Sequence, residues 1–338
     1  MKKRQYITSF LLLSLFVFAL VGCGKTNQVA YKWDFFAMDT YITCQVLTED
    51  EALAKAGLDG VEKAFLEIDR LTNRFDQKSD VSAVNKNAGI APVKVSQDVF
   101  IIVQTAIEWS DKTDGAFNIL IGSAMDLWGF GTEKPMVPAK EELAQALAET
   151  DYHKIVLNAE QSTLFLPDKG MVMDLGGVAK GYATDKAVAA LKKLGIENAL
   201  INAGGNVYAM GSKAEGVPWK VGVQDPQDPQ GIAAVLSASN SALVSSGDYQ
   251  RYFEVDGIRY HHILDPATGC PARASRGTTV IMKSATVADV LSTALFVKGP
   301  AKGIELAESL NEVGAVMIIT RNGGMFGTKA LNEYLVEK

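Results

Sequence analysis

The sequence predicts a mixed α+β fold whose sheets are mostly antiparallel. Three observations carry that expectation. Runs that alternate apolar and polar residues come in neighbouring pairs, such as Tyr31–Phe36 and Tyr41–Thr48 around the turn Met38-Asp39-Thr40. Asp256-Gly257, a hairpin signal, separates the runs Tyr252–Val255 and Tyr260–Leu264. Between such pairs lie stretches with a helical period, including Leu58, Val61, Phe65 and Ile68. A chain of 338 residues without a fixed repeat suits one large domain or two ordinary ones.

The N-terminus stands apart from the expected fold. Lys2, Lys3 and Arg4 precede an apolar run from Ile7 to Val21 that ends in Gly22-Cys23. That run is shorter than the roughly 20 residues a spanning helix needs. It resembles a bacterial lipoprotein signal peptide, which implies a lipid on Cys23 and an extracytoplasmic protein held at the cell membrane. An uncleaved anchor, or an ordinary signal peptide with a chance Cys, is the alternative. Residues 1–22 are therefore set outside the fold and 23–30 form a polar tether. The net charge of −6 argues against sequence-independent binding to nucleic acid. Three cysteines, Cys23, Cys44 and Cys270, make neither a disulfide framework nor a zinc pattern.

After the first strand pair, Thr48-x-x-Glu51 reads as a capping box opening a helix to about Leu71. Arg74-Phe75-Asp76 leads into a short helix at Ser79–Asn85, and Ser96 caps another that ends near Gly115. Leu127-Trp128-Gly129-Phe130-Gly131 is an aromatic passage that suits a buried plug. A helix over Pro138–Thr150 and a hairpin at Lys154–Leu157 and Thr163–Leu166 follow.

Met171-Val172-Met173 then reads as a strand end, Gly176 and Gly177 as a turn, and Val178 to Leu194 as a helix stopped by Gly195. A helix start after glycines presents free N–H groups that suit a phosphate. Asp174 and Lys180 would flank it. A tight turn with a surface Lys is the equally simple reading, and neither the Rossmann nor the P-loop fingerprint is present. Strands follow at Ala199–Ala203, Trp219–Val223, Ile232–Leu236, Ala242–Ser245 and Thr278–Met282. The chain closes with helices at Ala288–Val297 and Ala301–Leu310 and a strand at Val316–Thr320.

Two groups carry candidate chemistry. Asp289 and Thr293 stand one helical turn apart and offer hard oxygen ligands of the kind Mg²⁺ takes, although such a pair is common on any helix. His262 is a candidate general base, with a structural His at a strand end as the alternative. No G-x-S-x-G elbow is present.

Taken together and in order, these stretches resemble the FAD:protein FMN transferase (ApbE-type) family. The resemblance rests on Met38-Asp39-Thr40, Ser79–Asn85, Gly115–Asn118, Leu127–Gly131, Asp174–Ala183, Asn202–Gly205, Ser245–Tyr249, His262–Pro266 with Thr268-Gly269, and Ala288–Leu295. It implies a T-fold-like catalytic domain over residues 31–338, with two lobes around a flavin cleft. It also implies Mg²⁺-dependent transfer of FMN from FAD to a threonine hydroxyl of an extracytoplasmic acceptor protein, with release of AMP. By motif position the metal ligands are Gly177, through its carbonyl, Asp289 and Thr293. The FAD site is Met38, Phe75, Ala116, Phe117, Asn118, Asp174, Lys180 and Leu264, and the base is His262. Asn118 stands where the family often has Asp, and Phe75 where it often has Tyr. An FAD pyrophosphatase and a non-catalytic flavin-binding lipoprotein are the alternatives.

Overall fold

A computed structural model describes residues 28–213 and 216–336. Cys23 and the segment ahead of it lie outside the described residues. The chain opens with β1 (Val29–Ala37) and β2 (Thr40–Thr48), then α1 (Glu51–Thr72), α2 (Asp80–Lys86), β3 (Val93–Lys94), α3 (Gln97–Lys112), α4 (Gly122–Trp128) and α5 (Lys140–Leu147). Next come β4 (Val156–Asn158), β5 (Thr163–Phe165), α6 (Ala179–Lys193), β6 (Asn198–Ala203), β7 (Asn206–Met210), β8 (Trp219–Gln224) and β9 (Ile232–Ala238). Last are β10 (Ser241–Gly247), β11 (Tyr252–Val255), β12 (Ile258–His261), β13 (Gly277–Met282), α7 (Ala285–Ser309), β14 (Val313–Ile319) and β15 (Met325–Gly327). Among the described residues no helix is long and apolar enough to cross a membrane.

One antiparallel sheet of eight strands runs in the order β1-β2-β6-β7-β10-β13-β14-β15. Its two halves share a plan: two strands, then helix, then two strands. In the first half α1 and α6 fall between β2 and β6, and in the second α7 falls between β13 and β14. The β7–β10 pairing, Ser241↔Ala209 to Val244↔Asn206, joins them edge to edge. The two expected lobes are thus halves of one continuous sheet. Helices α1, α6 and α7 lie side by side on one face, where Phe65, Ile68, Ala183, Leu191, Leu291 and Leu295 close the main core. The β8–β9 hairpin covers the other face, packing Trp219, Val223 and Leu236 on Leu243, Ile281 and Met317.

Local differences from the sequence reading have local causes. The N-cap of α1 is Asp50, whose Oδ1 accepts the Leu53 N–H at 3.0 Å, while Thr48 accepts the Asp50 N–H instead. A carboxylate is as good a cap as a hydroxyl and adds favourable charge at the helix start. Met171–Met173 is extended but not a strand. Its groups pair with a side chain, Met173 N donating to Asn85 Oδ1 at 2.8 Å and Asn85 Nδ2 to Met173 O at 2.9 Å. The two C-terminal helices form the single run α7, broken at Gly299 (φ 74°) before Pro300, where proline cannot donate to the preceding turn. His262 lies just beyond β12 rather than within it.

His261 is a core residue, 1% exposed. Its Nε2 donates to Ala272 O at 2.8 Å, and its Nδ1 accepts the Ile263 N–H at 3.3 Å. Both ring nitrogens are satisfied only in the neutral form. Burial accordingly lowers its pKa to about 4. A group with a depressed folded pKa of this kind binds its proton in the unfolded chain first. Its contribution is therefore full above about pH 6.5 and is lost as pH falls from there towards 4. Denaturant titrations are expected to show stability falling by up to about 1.4 kcal/mol per pH unit in that window from this residue. His261→Gln should flatten that part of the slope; an unchanged slope would refute the assignment.

Candidate active site

The site forms where α6 crosses α7. Glycine permits this crossing. A Cβ on Gly181 would sit only 2.3 Å from Ala285 O and 2.8 Å from Asp289 Cβ. The contact brings the first turn of α6 onto Asp289, which is 4% exposed. The free N–H expected at this helix start is taken by a protein carboxylate: Gly181 N donates to Asp289 Oδ2 at 3.0 Å. Asn206 Nδ2 donates to Asp289 Oδ1 at 3.2 Å, and Asn206 Oδ1 is buried without a partner. Asp185, one turn further along α6, fastens the start of α7 by accepting from Ala285 N at 2.9 Å, Thr286 N at 2.9 Å and the Ser284 hydroxyl at 3.0 Å. We expect Gly181→Ala to cost about 1–3 kcal/mol, since overpacking must push the two helices apart. Thermal melts check this, and an unchanged midpoint would sink it.

Thr293 and Gly177 face each other across the same junction. A Cβ on Gly177 would lie 3.7 Å from Thr293 Oγ1 and 2.9 Å from Phe117 Cε2. Ser246 adds a further hydroxyl, 3.4 Å from Thr293 Oγ1 and 2.7 Å from Ser292 Oγ. One buried carboxylate, hydroxyls, a glycine backbone and an unsatisfied amide oxygen make an all-oxygen set. Mg²⁺ takes such donors and keeps several waters. No cluster of three His, Cys, Asp or Glu groups of metal-binding geometry exists among the described residues. The donors present therefore suit a hard ion shared with a ligand better than a closed protein cage.

Asp174 closes its own turn by accepting Gly176 N at 2.8 Å, and its Oδ2 lies 2.8 Å from Arg74 Nε. Arg74 also pairs with Asp126 at 2.6 Å and covers the Phe75 ring, its guanidinium carbon 4.3 Å from the centroid. Phe75 itself is 76% exposed. Lys180 Nζ donates to Gly176 O at 3.0 Å. Asn118 ties down its loop, Nδ2 donating to Thr150 O at 2.7 Å and Oδ1 accepting Leu120 N at 2.8 Å. Ala116 packs on the main core beside Phe117. Leu264 is buried with Trp128, Phe130 and Phe253 in the aromatic cluster, and Trp128 Nε1 donates to Gly269 O at 2.7 Å.

Met38 and Asp39 form the two-residue β1–β2 turn, both at positive φ (53° and 55°). Such angles cost a non-glycine residue on the order of 1–2 kcal/mol and persist only where neighbours impose them. Asp69 accepts the Met38 N–H at 2.9 Å, and Arg251 holds the Asp39 carboxylate at 2.9 Å. The Arg251 carbonyl accepts from His262 N at 3.1 Å and faces His262 Nδ1 at 3.3 Å. A carbonyl opposite Nδ1 requires the proton there and leaves the Nε2 lone pair free. Burial is the largest cause lowering the His262 pKa to about 3, with the nearby charges of Arg251 and Lys180 acting in the same direction. The imidazole is thus neutral throughout the physiological range.

A sequence profile of the ApbE family matches residues 38–317. The chain belongs to the ApbE family. Relatives within it are an FAD:protein FMN transferase from Treponema pallidum (strain Nichols), 37% identical over 73% of this chain and 72% of the relative, and one from Vibrio cholerae, 30% identical over 90% and 92%. Among solved structures, the ApbE protein of Thermotoga maritima superposes with a TM-score of 0.85 at 31% identity, covering 91% of this chain and all of that one. The flavin transferase ApbE of Vibrio cholerae gives 0.80 at 28% identity, over 92% and 100%.

Reading for the family motifs alone passes over Arg74, Ser246, Asn206 and Arg251. Arg74 adjoins the quoted Phe75, and Ser246 and Asn206 fall inside or beside quoted motifs. Nothing in the sequence ties Arg251 to Asp39, 212 positions away.

Proposed function

We propose that this ApbE-family chain transfers FMN from FAD to a threonine hydroxyl of an extracytoplasmic acceptor protein, and that Mg²⁺ held at the α6–α7 junction assists. The observation that carries the reading is a pair of contacts across the α6–α7 crossing: Gly181 N bonds the buried Asp289 carboxylate, and Gly177, just ahead of α6, faces Thr293 Oγ1, one turn on from Asp289. Asp289, Thr293 and the Gly177 carbonyl would hold the ion, which neutralises charge on the diphosphate when bound. Lys180 adds a second positive group on the same turn, and the Asp174–Arg74 pair holds that turn in shape.

His262 Nε2 takes the proton of the acceptor hydroxyl while the hydroxyl oxygen forms its bond to the FMN phosphorus. The anhydride bond breaks, and AMP leaves with the electron pair. A His near pKa 3 is a weak base alone, but a bound diphosphate opposes Arg251 and Lys180 and raises its proton affinity. The site needs no covalent enzyme intermediate, since positioning and charge neutralisation supply the rate. A lipid on Cys23 would place this chemistry on the outer face of the membrane, where the acceptor resides.

The test incubates the protein with FAD, Mg²⁺ and a co-expressed acceptor domain, followed by mass spectrometry of the acceptor. A mass gain of one FMN on a threonine supports the reading. Release of FMN and AMP without acceptor labelling would establish a pyrophosphatase instead, and unchanged FAD a binding protein.

A further inference from the structure

Beside the candidate site lies a cleft of about 470 Å³ that the reaction above leaves unused. Its walls include Arg259, Arg276 and Arg321 together with Tyr249, Tyr252 and Gln227. Behind two of these arginines is Asp248, 2% exposed. Arg276 Nε reaches Asp248 Oδ2 at 3.0 Å, whereas Asp248 Oδ1 has no hydrogen-bond partner and lies 3.7 Å from Arg259 Nη1. Arg259 stacks over the Tyr252 ring at 4.0 Å and pairs with Glu254 at 3.3 Å. Arg321 is exposed and makes no ion pair among the described residues. Burial lowers the Arg273 pKa, and the charge of Arg321 acts in the same direction. The residues that line the cleft carry three guanidinium groups and one carboxylate, Asp225, in a chain that is acidic as a whole, while Asp248 and Glu254 pair with Arg276 and Arg259 from beside the lining.

The cleft adjoins the chemistry at both ends of one segment. Ser246, at its start, reaches Thr293, and Arg251, near its end, holds His262. Asp248, Tyr249 and Tyr252 lie along the same segment. At about 3.3 Å per extended residue, a chain laid over Ser246–Tyr252 passes the arginines within about six residues of its reacting hydroxyl. Guanidinium groups bind carboxylates bidentately, and tyrosines offer flat apolar area for a peptide.

We propose that this cleft docks acidic side chains of the acceptor polypeptide, close in sequence to the threonine that receives FMN. The proposal rests on the transfer reading above. It makes the acceptor's local negative charge a selection rule of the enzyme, set by Arg259, Arg276 and Arg321.

The test uses the whole protein loaded with FAD. Calorimetric titration compares two synthetic peptides, each with one central threonine, flanked by Asp and Glu in one and by Asn and Gln in the other. The acidic peptide is expected to bind at least tenfold more tightly. Arg321→Gln, at an exposed position without an ion-pair partner, should reduce that preference below threefold while FAD turnover to water stays unchanged. Equal affinities in the parent protein would overturn the proposal, as would a preference surviving in both Arg321→Gln and Arg259→Gln. Inorganic phosphate displacing the acidic peptide at equal concentration would also overturn it, since the cleft would then hold small anions. Selective peptide binding without any FMN transfer would leave the docking site standing and remove the transfer reading alone.

Discussion

Asp289→Asn is expected to lower FMN transfer by about a thousandfold at saturating FAD, the scale lost when a principal charge-stabilising group is removed. Asp289 is the one carboxylate among the proposed ligands, and the nearby Asp185 is committed to the start of α7, where it accepts from Ser284, Ala285 and Thr286. The asparagine is nearly isosteric and retains one oxygen for the Gly181 N–H. Its amide nitrogen must then face Asn206 Nδ2, which donates to Asp289 Oδ1 in the native chain. One of the two amides must turn, which brings the unpartnered Asn206 Oδ1 into use. The fold should therefore survive with a cost of about 1–3 kcal/mol, while Mg²⁺ titration by calorimetry loses its signal. Wild-type transfer rates in this variant, or undiminished Mg²⁺ binding, would remove Asp289 from the metal site.

His262→Ala should lower transfer by about 10²–10⁴-fold, the usual contribution of a positioned general base, and leave FAD affinity within about threefold. The histidine contributes no ligand to the oxygen cluster, so Mg²⁺ binding should also persist. Its backbone N–H remains to meet the Arg251 carbonyl, which keeps the loop in place. The log rate of the parent enzyme should rise with pH through the pKa that His262 acquires with FAD bound. That limb should vanish in His262→Ala. A variant that keeps both the rate and the pH limb would show that another group takes the proton.

Much of the fold was legible because antiparallel pairs leave local marks. The turns at Met38-Asp39 and Asp256-Gly257 sit between alternating runs, and the structure pairs Ala37 with Thr40 and Val255 with Ile258 as those marks suggest. Met171–Met173 misled because three apolar residues look alike whether they hydrogen-bond to a strand or to Asn85. The cap of α1 misled because Thr48 and Asp50 are both competent, and only the backbone path decides between them. Of the candidate site, Asp289 and Thr293 fall one turn apart in α7 as their spacing predicts, and Gly177 sits just ahead of α6. That Gly181 reaches Asp289 and Gly177 faces Thr293 depends on the α6–α7 crossing, which no local pattern encodes. The Arg74–Asp174 and Arg251–Asp39 pairs were hidden for the same reason, since each joins segments far apart in the chain.

The seam between β7 and β10 has an energetic meaning. Gly177 and Gly181 come from the N-terminal half of the sheet and Asp289 and Thr293 from the C-terminal half. Neither half expressed alone would own the complete set of proposed ligands, so occupancy and cohesion would be thermodynamically linked. On the proposed function, a bound cation and dinucleotide would act as a rivet across the join, worth about 2.7 kcal/mol at a hundredfold excess over the dissociation constant. Substrate supply would then govern how long the enzyme survives as well as how fast it works.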